Sequence, residues 1–238
     1  MCLSRRGSAE WTEREAGMNL NWEFILQNIP LYEKAAWLTL KLAFWGTLFS
    51  LLLGLLCSVI IYYRIPLLKT IMGGYIELSR NTPLLIQVYF LYFGLPKLGV
   101  TLSETTCAIL GLSFLGGSYM AEALRGGMEA VSKSQIESGL SLGLSRWQLI
   151  RYVVFPQAFS FSIPALGANC IFLLKETSVL GAIAILDLMN VTKDLIGMYY
   201  QTVESLLMLV VSYLIILLPL SLFLTWLERK VRYAEFGP

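Results

Sequence analysis

This 238-residue chain contains no histidine, which removes the commonest general base, proton shuttle and metal ligand from its chemistry. Charge is scarce as well. Lys, Arg, Asp and Glu together make 14% of the residues, against about 25% in a soluble domain, while apolar residues make 56%. Too few polar side chains exist to clothe a water-soluble core, and the mean hydropathy of +0.66 agrees. A net charge of +2 supplies no broad basic field, so nucleic acid is not an expected partner. The cysteines Cys2, Cys57, Cys107 and Cys170 show no CxxC spacing, and three lie in apolar runs. They read as small buried hydrophobes rather than disulfides or a metal site. Catalytic signatures are missing too. There is no GxxxxGK[ST] phosphate loop and no HExxH, GxSxG or SxxK, and GGSYMAEALRGG is not a dinucleotide fingerprint following a strand.

What the chain has instead is long uncharged runs. About 20 apolar residues carry a helix across the hydrocarbon core. Residues 42–63 and 205–227 are uncharged runs of that length. Residues 152–174 form another, with Pro156 and Pro164 near its start, so the spanning part is expected from near Phe159. Two shorter runs, 81–96 with Pro83 and 105–121, extend into sequence with isolated charges: Glu77 and Arg80, then Glu122 and Arg125. The fold expected is an all-α integral membrane protein with about five transmembrane helices. The first apolar run is too long for a cleavable signal and lacks a small-residue cleavage site after it.

The Lys/Arg bias orients the bundle. The segments after spans one, three and five carry Arg64, Lys69, Arg125, Lys133, Arg146, Arg151, Arg229, Lys230 and Arg232, whereas the opposite side carries Lys34, Lys97 and Lys193. This predicts an N-terminus outside and a C-terminus in the cytoplasm. Residues 1–17 are polar and aperiodic, and read either as a native extension or as an artefact of an upstream start; an amphipathic lead-in begins at Met18. The organisation expected is residues 1–34 as tail and lead-in, 35–230 as the membrane domain and 231–238 as a cytoplasmic tail.

The longest polar connection, about residues 125–152, then falls in the cytoplasm. It reads as two short helices, 133–142 and 145–154, with Gly143 positioned to end the first in a left-handed conformation and Ser145 to cap the second. Ser138, Gly139 and Ser141 leave one face bare, open to close approach by another protein. The plain alternative is an amphipathic helix resting on the membrane surface.

A membrane protein without an ATP site either works down a gradient or borrows energy from a partner, and this connection is the one stretch long enough to contact such a partner. Its residues Glu137-Ser138-Gly139-x3-Gly143-x9-Val153-x-Phe155-Pro156 carry the spacing of the EAA motif, E-A-A-x3-G-x9-I-x-L-P, of ABC importer permeases. The identities depart at Ala-Ala, Ile and Leu, small for small and apolar for apolar. SRNTPLLIQVYFLYFGLP (79–96), the run 119–158 and FLLKETSVL (172–180) likewise resemble permeases for polar amino acids of the histidine/glutamine/arginine type, over about residues 35–230. The resemblance implies a type 1 ABC transmembrane domain in a bacterial cytoplasmic (inner) membrane, with no catalytic residue or metal of its own. It also implies a second permease subunit, identical or different, and an extracellular or periplasmic amino-acid-binding protein. The implied energy source is a cytoplasmic ABC ATPase dimer, which alone would hold ATP and Mg²⁺. Residues 133–142 become the coupling helix that docks on it.

Ionisable residues at membrane depth cost about 2.5–3.5 kcal/mol each on insertion scales, so each demands a reason. Lys175 and Glu176, followed by Thr177, sit near the end of the fourth span and read as a gate or substrate contact, or as a paired structural charge. Asn81, Thr82 and Gln87 flank Pro83, where an interrupted helix exposes backbone to a ligand; interhelical packing is the alternative. Glu122 and Arg125 are spaced i, i+3 and are expected to pair structurally. Two other classes compete with the importer. A lone secondary transporter or channel would need inverted repeats and an ion relay, and no repeated half is visible in five spans. A membrane enzyme would need histidine or carboxylates paired within helical reach.

Overall fold

The computed structural model describes residues 20–63 and 65–236, and among them every regular element is helical, with no strand. In chain order the helices are α1 (Trp22–Tyr62), α2 (Leu68–Arg80), α3 (Leu84–Tyr89), α4 (Glu104–Ala130), α5 (Lys133–Ser141), α6 (Arg146–Leu149), α7 (Phe155–Glu176), α8 (Leu188–Tyr199) and α9 (Thr202–Phe236). A π-helical turn, Phe90–Gly94, and a 3-10 turn, Leu95–Leu98, prolong α3; a second π turn, Ile150–Val154, joins α6 to α7. The expectation for residues 1–17 lies outside the described residues.

Four helical stretches are long and apolar enough to cross a membrane: Trp22–Tyr62, Glu104–Ala130, Arg146–Ile183 and Thr202–Val231. At the place of the fifth expected span the chain has α2 and the shorter apolar Leu84–Leu98 stretch, interrupted at residues 81–83. Pro83 has extended backbone and precedes the first turn of α3, so the chain re-enters a helix there instead of continuing one.

Several boundaries differ from the sequence reading, among them the second short helix, expected over 145–154, which ends at Leu149 and runs through the π turn into α7. The first helix starts at Trp22, not near residue 42: the Asn21 side chain accepts from the Phe24 N–H, and Pro30 is accommodated inside. The lead-in joins the helix because Phe24, Tyr32 and Ala35 bury against Leu188, Val191 and Leu195 of α8 and Met208 of α9. Pro156 does not break the fourth span; it lies in the first turn of α7, where a missing N–H costs nothing. The tail expected from residue 231 continues α9 to Phe236.

Helix α4 is the central element, packed between α1 and α7. Gly46, Ser50, Gly54 and Cys57 form a buried small-residue stripe on α1 that admits it closely. The main core gathers Leu42, Val88, Leu112, Met120, Leu173, Leu180 and Ile183 from four separate parts of the chain. By contrast α9 bares Leu214, Ile215, Leu218, Leu222 and Phe223. Such an apolar surface suits hydrocarbon or a partner helix, not water. Free thiols Cys57 and Cys107 are buried and Cys170 partly so, and the described residues hold no cluster of metal ligands.

Candidate functional site

The segment from Ser132 to Pro156 forms at the end of the bundle where α1 finishes and α7 begins. Ser132 caps α5 through the Gln135 N–H. Gly143 takes φ +77°, a left-handed conformation with open space around its Cα, and so turns the chain without steric cost. Ser145 and Gln148 then close a reciprocal capping box, with Gln148 N–H to Ser145 Oγ at 3.3 Å and Ser145 N–H to Gln148 Oε1 at 2.9 Å. A small core joins the segment to the ends of α4 and α7: Val131, Leu149, Val154 and Ala158, with Met128, Ile136, Leu144 and Val153 packed against it.

This core divides the motif residues into two groups. Gly139 and Val153 point inward, and Gly139 is buried: a Cβ there would meet Leu149 Cδ1 at 2.5 Å. The face left bare at Gly139 is therefore filled by the chain's own second short helix, not left for another protein, which corrects the sequence expectation at that position. Glu137, Ser138, Ser141, Gly143, Phe155 and Pro156 are exposed. Beside them Leu140, Leu142 and Trp147 are exposed as well, Leu142 by 82%. Three large apolar side chains are thus exposed on a polar segment whose one carboxylate is Glu137.

The residues around Pro83 satisfy one another. The Gln87 amide donates to the Ser79 and Thr82 carbonyls, both at 3.1 Å, and to Thr82 Oγ1 at 2.9 Å. Thr82 Oγ1 donates to the Leu78 carbonyl and the Asn81 amide to the Glu77 carbonyl, each at 2.8 Å. Three side chains thus occupy carbonyls that the helix break releases. Gln87 Oε1 stays buried without a partner, and Thr82 and Gln87 border an apolar recess with Leu53, Ile86 and Phe90. Lys175 is exposed and Glu176 half-buried at the end of α7, and no ion pair joins them to each other. Thr177 is buried, its hydroxyl donating to the Leu174 carbonyl at 2.7 Å.

The expected Glu122–Arg125 pair forms, with Arg125 Nε to Oε1 at 3.0 Å and Nη2 to Oε2 at 2.7 Å. Two further members join it, Glu129 at i+4 on the same helix and Arg80 from a different one. Glu129 takes Arg125 Nη1 at 2.7 Å, and Arg80, at the end of α2, reaches Glu122 at 3.4 Å while its guanidinium lies 5.4 Å from the Tyr119 ring centroid. The signals available for Arg80 were its isolated charge at the edge of an apolar run and its position three residues before Pro83.

Asp187 was also missed. It caps α8 through Oδ1 to the Asn190 N–H at 3.0 Å, is fully buried, and leaves Oδ2 without a partner. Burial pushes its carboxyl up to about 6, opposed by the Asn190 and Met189 N–H groups and by Lys193.

Comparison with known proteins bears on the whole arrangement. Residues 43–233 match the family described as binding-protein-dependent transport system inner membrane component. The glutamine transport system permease protein GlnP of Escherichia coli (strain K12) is 34% identical over 217 residues, 90% of this chain and 99% of that protein. The probable amino-acid ABC transporter permease protein PatM of Vibrio harveyi is 29% identical over 91% of this chain and 99% of its own. Among solved structures, an amino acid ABC transporter crystallised with histidines superposes with a TM-score of 0.84 at 30% identity, covering 90% of this chain and 100% of that one. The MetNI methionine ABC transporter in an inward-facing form shares the fold, with a TM-score of 0.70 at 19% identity, covering 86% of this chain and 98% of that one. With the matched model spanning all the membrane-length helices except the start of the first, the chain belongs to the binding-protein-dependent transport system inner membrane components.

Proposed function

We propose that this chain is the membrane-spanning permease subunit of an ATP-driven amino-acid importer in a bacterial cytoplasmic membrane. It forms the translocation path, takes a polar amino acid from an extracellular or periplasmic binding protein, and works beside a second permease subunit. A cytoplasmic ABC ATPase dimer supplies the energy and holds ATP and Mg²⁺. The chain itself carries no enzymatic activity. The N-terminus lies outside and the Lys133 and Lys230 end in the cytoplasm, as the basic asymmetry favours. Residues 35–230 are the transmembrane domain of the complex.

One observation carries the reading: the segment 132–156 is a doubly capped platform, packed on the ends of α4 and α7 and presenting Glu137, Leu140, Leu142 and Trp147 at the basic end of the bundle. The caps fix the two short helices, and the shared core ties them to the ends of α4 and α7, so that the surface can pass a partner's movement to the spans. A helix resting on headgroups would not need these ties.

The experiment is reconstitution of this chain in lipid vesicles with its candidate ATPase and binding protein. Amino-acid uptake and ATP hydrolysis are expected only when all components and a loaded binding protein are present. Uptake by this chain alone, driven by an ion gradient, would establish the secondary-transporter reading instead. Hydrolysis by the isolated, pure chain would refute the division of labour.

A further inference from the structure

Helix α4 has 27 residues, a length of about 40 Å, so a centred hydrocarbon core of about 30 Å leaves some 5 Å of helix beyond it at each end. Glu122, eighteen positions past Glu104, stands about 27 Å along, just past the uncharged run 105–121, and Ser79, next to Arg80, donates to the Phe114 carbonyl at 2.8 Å, near the middle of α4. Arg80 meets Glu122 at this depth. The side chains are 42% and 27% exposed, so they do not face the chain's own core. Charges at such depth face a water-filled passage or another subunit, because lipid is too costly.

The two arginines are not equivalent. Arg125 grips both Glu122 oxygens and also Glu129. Arg80 has one long contact, 3.4 Å from a single Nη to an oxygen that Arg125 already holds at 2.7 Å. Nearby Glu77 is engaged elsewhere, its Oε2 accepting from the Asn81 amide at 3.2 Å. A guanidinium offers five N–H donors in a planar fork that suits a carboxylate bidentately, and here most of the fork is unused. The Arg80 guanidinium carbon lies over the Tyr119 ring; that ring meets Phe172 of α7 at 5.1 Å, and the Tyr119 carbonyl accepts from the Asn169 amide at 3.1 Å. Arg80 is thus held at the junction of α2, α4 and α7, above an aromatic floor, with donors to spare.

We infer that Arg80 is a substrate-positioning residue of the translocation path, its free guanidinium edge receiving the α-carboxylate of the amino acid in passage. The inference rests on the importer reading. Glu122, locked to Arg125, keeps Arg80 in place between transport cycles without neutralising it fully. A bound carboxylate gains the unused donors in a partly desolvated site.

The test uses the full complex in lipid vesicles, reading ATP hydrolysis stimulated by loaded binding protein separately from uptake. Arg80→Gln is expected to keep stimulated hydrolysis near wild type and to lose about 10- to 100-fold in uptake, the worth of one or two hydrogen bonds to a charged group. Arg80→Lys keeps the charge without the fork and should retain a reduced, severalfold slower uptake. Arg80→Gln/Glu122→Gln should stay as poor as the single variant. Wild-type uptake by Arg80→Gln, or its restoration in the double variant, overturns the inference, since Arg80 would then only neutralise Glu122. If Arg80→Gln does not insert, wild-type uptake by Arg80→Lys overturns it as well. A wild-type complex that neither hydrolyses ATP nor transports removes the importer reading and this inference together; a working wild type with indifferent Arg80 variants removes this one only.

Discussion

Gly139 of the first short helix lies flat against Leu149 of the second, so close that any Cβ there would stand 2.5 Å from the leucine Cδ1. An alanine, which related motifs carry here, would raise helix propensity by about 1 kcal/mol over glycine. In this chain it must also displace a leucine that is only 7% exposed. The motif position and its packing partner are thus one unit.

Gly139→Ala is accordingly expected to yield no net gain in stability, because overpacking costs about 1–3 kcal/mol and cancels the propensity term. Combining it with Leu149→Val makes room. Thermal unfolding of the two single variants and the double should show a favourable coupling of about 1 kcal/mol. Additive effects would mean that the contact does not constrain the pair of helices.

Gly143→Val and Glu137→Lys probe the platform from outside. Nothing surrounds Gly143, so valine costs only the left-handed backbone penalty of about 1–2 kcal/mol and reorients α5 against α6. Glu137→Lys reverses the exposed charge beside Leu140 and Leu142. Both variants should accumulate normally in the membrane yet lose ATPase co-purification or uncouple hydrolysis from uptake. Retention of both activities would return the segment to a headgroup-bound helix, for which added positive charge is harmless.

Topology is checked by single cysteines in a background lacking the native ones. A membrane-impermeant thiol reagent on intact cells should label position 97 and spare positions 133 and 230. Labelling at 133 or 230 without permeabilisation would invert the orientation drawn from the basic residues.

Asp187 should make stability depend on pH. Its folded value is about 6 against an ordinary 3.8, so between these values the folded chain holds a proton that the unfolded chain has released. Stability therefore falls as pH rises through that window, by at most about 3 kcal/mol, and levels above it. Lys193 moderates the effect. Asp187→Asn keeps a good helix cap and removes the titration. Unfolding temperatures measured from pH 4 to 7 should drop for the wild type and stay level for the variant; parallel curves would exclude Asp187 as the cause.

Much of this molecule was legible in its linear order. The shortage of charge and the lengths of the uncharged runs required a helical membrane bundle, since a lipid-exposed backbone must satisfy its own hydrogen bonds. Gly143 and Ser145 announced the turn and the cap, because both effects act within a few residues along the chain. The Glu122–Arg125 pair followed from helical spacing alone. What depended on how helices cross and rotate was not legible. The extension of α1 back to Trp22 is stabilised by α8 and α9, more than 150 residues away. Gly139 looked like an open face until Leu149 was seen to fill it. Arg80 reaches Glu122 across 42 positions of sequence, and Asp187 is fully buried where the start of α8 meets α1 through the Leu188 N–H and Thr39. Such meetings are set by the relative placement of helices, which side-chain spacing within any one of them does not encode.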